Sequence, residues 1–238
     1  MAPFIPEILF EDNHLIAVNK RPGELVQADQ TGDIPLSELI KDYIKEKHQK
    51  PGAVFLGVIH RIDRPVSGVV LFARTSKSLE RMNRMFRDKE IKKTYWAVVK
   101  QAPPLEQDSL VRYLVKNERL NKSFAHMEPI KGSLESRLDY RLIGKSDHYF
   151  LLQVNPITGR HHQIRVMLAS IGCPIKGDLK YGFARSNPDG SIHLHARAVN
   201  FTHPVSGEPI FIQANPPEKD PVWHAFTQNS PDKLAPLS

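Results

Sequence analysis

At 238 residues the chain exceeds the commonest domain size, yet large β-rich domains reach this length, so one domain or two are both admissible. A hydrophobic share of 40% and a charged share of 25% exclude wholesale disorder, and no apolar run approaches the length of a transmembrane helix. Lysine and arginine outnumber the acids by 33 to 26, and the resulting net charge of +7 suits a polyanionic partner.

In chain order, Ile8-Leu9-Phe10 and Leu15-Ile16-Ala17-Val18 flank the turn-forming Glu11-Asp12-Asn13-His14 and predict a β-hairpin. Pro35 opens a stretch in which Leu36, Leu39, Ile40, Tyr43 and Ile44 recur at helical spacing, with Pro51-Gly52 as the stop. Residues 69–73 read as a buried strand, 76–90 as a helix and 94–99 as a strand ended by Pro103-Pro104. Arg137 to Ile143 and Tyr149 to Val154 predict a second hairpin, and a helix is expected from Gly159 to Gly172 with Ile164, Leu168 and Ile171 on its apolar side. Strands follow at 192–201 and 210–213. Strands joined by short turns predict an α+β fold with largely antiparallel mixed sheets and a few packed helices. The polar stretch 116–136 shows no clear period, and prolines at 216, 217, 221, 231 and 236 predict a frayed tail beyond about Phe226.

The densest chemistry lies in Gly57-Val58-Ile59-His60-Arg61-Ile62-Asp63-Arg64-Pro65-Val66-Ser67-Gly68, four ionisable residues between two apolar runs. Two readings fit. Either the segment is a solvated loop, or Asp63 is a carboxylate whose ionised form is favoured by the arginines beside it, ready to act as nucleophile or base.

The run from His60 to Gly68 resembles the signature loop of the RluA-type pseudouridine synthases, which modify ribosomal and transfer RNA. Further motifs follow in the family's order. Ile8 to Asp12 and Val18 to Gly23 resemble its opening strands. Lys93-Thr94-Tyr95-Trp96-Ala97 is similar to its tyrosine motif, and Thr158-Gly159-Arg160-His161-His162-Gln163-Ile164-Arg165-Val166 with Gly177-Asp178 to its third. Leu194-His195-Ala196 and Phe201 to Glu208 extend the likeness, which covers about residues 8–217. Two departures, Pro65-Val66 for a polar pair and His161 for the usual threonine, bear on substrate choice rather than on chemistry.

The resemblance implies a pseudouridine synthase fold with a central catalytic cleft. It also implies an isomerase that converts uridines in ribosomal or transfer RNA to pseudouridine without a cofactor. It places the catalytic aspartate on Asp63, the active-site tyrosine on Tyr95 and the basic partner of the aspartate on Arg165. Arg61 falls where an arginine occupies the space left by a flipped nucleotide, and His60, Arg64, Arg160 and Ile164 fall in motifs expected to meet the substrate. Extra N-terminal RNA-binding modules are common in the family, and none is expected before Ile8. Residues 1–226 are therefore expected to be the catalytic domain and 227–238 a tail.

Between Lys77 and Lys93 seven basic residues stand against three acidic ones, an excess of four positive charges. Leu79, Met82 and Phe86 mark the buried side of that helix and leave Arg81 and Arg84 outward for RNA phosphates. Eleven histidines raise the question of a metal, but there is no HExxH pair or cysteine cluster, and neighbouring histidines on a helix point about 100° apart, so no metal is expected. Neither a phosphate-binding loop nor a dinucleotide fingerprint is present. The single Cys173 cannot close an intramolecular disulfide, and the N-terminus lacks the pattern of a secretory signal. A cytoplasmic enzyme with an RNA partner, no membrane and no obligatory protein partner is expected. The competing readings are an RNA-binding protein without turnover and a hydrolase in which His60 and Asp63 activate water.

Overall fold

A computed structural model describes residues 6–228. Its strands join in one 11-stranded sheet. The first hairpin pairs β1 (Glu7–Glu11) with β2 (Leu15–Lys20), and β2 lies antiparallel to β4 (Ser67–Ala73), which also carries the short β3 (Gly57–Val58). β4 then meets β10 (Leu194–Thr202) in the only parallel pairing between the described strands. From β10 the sheet continues antiparallel through β5 (Lys92–Val99), β9 (Phe150–Pro156), β8 (Leu134–Lys145) and β6 (Gln107–Asn117) to β7 (Lys122–His126). β11 (Pro209–Gln213) pairs with β10.

The central strands are apolar at nearly every position because both faces of the sheet are covered. Side chains on a strand alternate between faces. Ile16, Val18, Val70, Phe72, Ala97 and Val154 therefore pack with α1 (Leu36–Lys47) and α3 (Gln163–Ser170) on one face. Leu15, Ala17, Val69 and Leu71 pack with α2 (Ser76–Arg87) on the other. Farther along that second face, Trp96, Val98 and Leu151 receive Trp223 and Phe226 of α4 (Pro221–Thr227).

Several expectations need correction. α2 ends at Arg87 rather than at residue 90, where Lys89 turns into the left-handed region (φ 62°). α3 begins at Gln163, not Gly159. The Gln163 side chain ties residues 158–160 into a turn by accepting from the Arg160 N–H (3.0 Å) and the Thr158 hydroxyl (2.7 Å) and donating to the Arg137 carbonyl (2.9 Å). Every residue from Gln163 to Leu168 is buried, so α3 has no solvated face along that run. The unassigned 116–136 region holds the end of β6, all of β7 and the start of β8. α4 was hidden among prolines, although Asp220 caps it by accepting from Val222 and Trp223 N–H, and Pro221 fits its first turn. The expected tail lies outside the described residues from 229 onward.

The parallel β4–β10 contact depends on Gly68. Its φ of +114° suits glycine alone, and an added Cβ would collide with the main chain of Ala196. Gly68→Ala is expected to cost more than about 3 kcal/mol through backbone strain and overpacking. Urea unfolding reads this directly, and an unchanged midpoint would show that the two strands need not approach so closely.

Candidate active site

The loop from Ile59 to Val66 joins β3 to β4. It is pinned on both faces of the sheet, with Ile59 in one apolar cluster and Ile62 and Val66 in the other. Its main chain is fixed as well. The Arg64 carbonyl accepts from the Gly23 N–H at 2.8 Å and from Lys20 Nζ at 3.0 Å, and the Pro65 carbonyl accepts from the Ile192 N–H at 3.1 Å. A turn bond from the Val66 N–H to the Asp63 carbonyl, 3.0 Å, sets the local geometry. Lys20 is 1% exposed and also donates to the Arg21 and Glu24 carbonyls, so its ammonium acts as an internal clamp. Burial lowers its pKa to about 8 against the opposing pull of Glu24 and Asp63.

That scaffold leaves the Asp63 side chain 30% exposed, facing α3. Arg165 NH1 donates to Asp63 Oδ2 at 2.8 Å. The same guanidinium, 6% exposed, is held on its other edge by Asp178, with Nε to Oδ2 at 2.7 Å and NH2 to Oδ1 at 2.9 Å. Burial works against the guanidinium charge, but the two carboxylates outweigh it and keep the arginine's pKa above its ordinary value. Asp178, 1% exposed, thus orients the arginine that orients Asp63.

A second set of groups approaches Asp63 from the sheet's far edge. His162 Nε2 lies 3.5 Å from Asp63 Oδ2, and its Nδ1 is 2.8 Å from the Tyr181 hydroxyl, which accepts from the Ser123 N–H of β7 at 2.9 Å. His161 stacks on His162 at 3.7 Å and is held by the Ser123 hydroxyl and Asn121. The two histidines stack, rather than diverging as on a helix, because His162 precedes α3 in a left-handed conformation (φ 53°).

Tyr95 sits on β5, cross-paired with Val154 and Ala196, on the sheet face that carries α3. Burial, and then the negative charge of Asp63, raise its pKa and keep the phenol protonated. Asp63, Arg165 and Tyr95, distant in sequence, are therefore brought together.

The other expected site residues divide. Arg61, Arg84 and Arg160 are exposed, and Arg64 is exposed but paired with Asp33 at 2.6 Å. His60 is turned to structure: its Nε2 accepts from the Leu71 N–H at 3.1 Å and its ring stacks on Phe86. Burial and then Lys93 lower its pKa to about 3, so it is neutral. Ile164 is buried in the main core. Arg81 does not point freely outward, because its NH1 donates to the Pro204 carbonyl at 2.7 Å and braces α2 against the turn after β10. His193 is bonded to Asp220 and Asn187, and His195 to Ser67 and the Ala214 carbonyl. Among the described residues no group of three or more histidine, cysteine or acidic side chains is placed to hold a metal, and no helix is long and apolar enough to cross a membrane.

A mixed sheet thus holds a partly exposed aspartate against a doubly bound arginine, with a protonated tyrosine on the same face. The fold is shared with the human RNA pseudouridylate synthase domain containing 4 protein, at a TM-score of 0.74 and 22% identity, covering 89% of this chain and 88% of that one. The sequence profile described as RNA pseudouridylate synthase matches residues 14–170, and the chain belongs to that family.

Similar proteins include a tRNA pseudouridine synthase C of Pectobacterium carotovorum subsp. carotovorum, 30% identical over 229 residues, covering 87% of this chain but only 58% of that protein. A tRNA pseudouridine synthase C of Salmonella typhimurium is 32% identical over 244 residues, covering 93% of this chain and 89% of the relative.

Proposed function

We propose that this chain is an RNA pseudouridine synthase that isomerises uridines in ribosomal RNA, transfer RNA or both, with Asp63 as its catalytic residue. The observation that carries the reading is the carboxylate of Asp63, open to solvent yet held through Oδ2 by an arginine that Asp178 clamps in turn. Oδ1 has no hydrogen-bond partner among the described residues and is the atom left to react.

In the reaction the N1–C1′ bond breaks, the uracil turns, C5 bonds to C1′, and the C5 proton leaves while N1 gains one, so no atom is lost and no redox partner is required. Asp63 attacks the sugar or the base, or takes a sugar proton. Arg165 supports the carboxylate charge throughout. In this reading Tyr95, kept protonated by burial and by the charge of Asp63, stacks on the uracil and stands by C5 as its proton departs. A uridine inside a folded RNA must first be extruded, at a cost of a few kcal/mol, and exposed Arg61 is suited to fill the gap. In this reading the enzyme acts in the cytoplasm and uses no cofactor. Comparing pseudouridine maps of cellular RNA with and without the gene tests this reading and names the target. Identical maps would oppose it.

Phosphate contacts are expected from the exposed cations of α2 and from Arg160. The brace that Arg81 forms moves the electrostatic test to Arg84. Arg84→Gln is expected to flatten the slope of log K against log salt by about 0.7–0.9, the contribution of one phosphate contact. Stability should hold within about 0.5 kcal/mol, since the side chain is exposed. A wild-type slope in a filter-binding titration would put the RNA elsewhere.

A further inference from the structure

We propose that His162 is a positioning residue for Asp63, presenting a ring N–H to Oδ2 so that this oxygen is restrained from two sides and Oδ1 alone is left to react. The inference rests on the pseudouridine synthase reading and adds to it a residue and a hydrogen-bond path.

The path begins on β7. The Ser123 N–H donates to the Tyr181 hydroxyl at 2.9 Å, so the hydroxyl's own proton is free to go to another acceptor, and His162 Nδ1 lies 2.8 Å away. A histidine that accepts at Nδ1 carries its proton on Nε2 when neutral. Burial, the largest influence, lowers the His162 pKa to about 3, with Asp63 opposing and Arg165 assisting, so the ring is neutral. The resulting Nε2–H faces Asp63 Oδ2 at 3.5 Å. That is long for a working hydrogen bond, and catalytic contacts of this kind shorten when substrate displaces water.

The ring is held for this task. His161 stacks on one face at 3.7 Å, the Tyr181 ring meets it edge-on at 5.6 Å, and the left-handed backbone turns the imidazole away from the course of α3. Ser123, 2% exposed, fixes both histidines, through its N–H by way of Tyr181 and through its hydroxyl at His161. The edge hairpin β6–β7 is thereby connected to the catalytic carboxylate.

The test compares kcat and KM on one RNA substrate for wild type, His162→Asn, His162→Gln and Tyr181→Phe, with a urea midpoint for each. Asparagine tolerates the left-handed backbone but is too short to reach, whereas glutamine can place an N–H near the Nε2 position. His162→Asn is expected to lose about ten- to hundredfold in kcat, the effect of one hydrogen bond to a charged group, with KM within about twofold. His162→Gln should recover much of that loss, and Tyr181→Phe should lower kcat by a smaller factor. A kcat within about twofold of wild type for His162→Asn, a loss confined to KM, or a glutamine variant as impaired as asparagine would each overturn the proposal. Should His162→Asn fail to fold, an unchanged kcat in Tyr181→Phe overturns it. Wild-type protein that makes no pseudouridine would instead refute the functional reading beneath it.

Discussion

Asp63→Asn is expected to abolish isomerisation while leaving RNA affinity within a few-fold of wild type. The amide keeps the shape of the carboxylate and can still accept from Arg165, now 2.8 Å from Oδ2, but it carries no charge with which to attack or to take a proton. Folding should survive, because the loop is fixed by other groups: Lys20 and the Gly23 N–H on the Arg64 carbonyl, the Ile192 N–H on the Pro65 carbonyl, and the apolar anchors Ile59, Ile62 and Val66. Residual turnover above a few per cent in a single-turnover assay would remove Asp63 from the centre of the mechanism.

Arg165→Ala should be the more damaging change to the protein as a whole. It strips Asp63 of its partner and leaves Asp178, 1% exposed, as a buried carboxylate without a counter-charge. Breaking such a pair commonly costs about 3–5 kcal/mol. Loss of activity and of stability are therefore expected together, and a second substitution separates them. Adding Asp178→Asn removes the stranded charge, so the double variant should regain much of the stability and none of the activity. A single variant that melts like wild type would show that the Arg165–Asp178 pair does not hold the site.

Much of this was legible in the sequence. The hairpin β1–β2, the helix α1 and the late strands follow from apolar periodicity and turn residues, because each buries a regular face. The Asp63–Arg165 contact of the candidate site was legible through motif order rather than periodicity: the two residues are 102 apart and only their family motifs connect them. Asp178 stood within a recognised motif, but its role is to face an arginine 13 residues earlier, which no local pattern announces. Ser123 and Tyr181 were missed for the same reason. β6 and β7 went unread because their outward faces are polar or carry isolated apolar side chains, which weakens the alternation that identifies a strand. The start of α3 was misplaced because a side chain, Gln163, supplies the hydrogen bonds that a further helical turn would have made. The Arg81 contact with the Pro204 carbonyl is not legible in helical periodicity, which shows which face a residue occupies and not what a neighbouring turn offers it.

Isomerisation of uridine at a site built on Asp63 is read from its product. Purified protein is incubated with RNA transcripts carrying uridine labelled with tritium at C5, and both the released tritium and the digested nucleosides are measured. Tritium release should be matched by an equal amount of pseudouridine, with no free uracil, and the Asp63→Asn variant should release none. Free uracil in place of pseudouridine, or equal release from the variant, would contradict it.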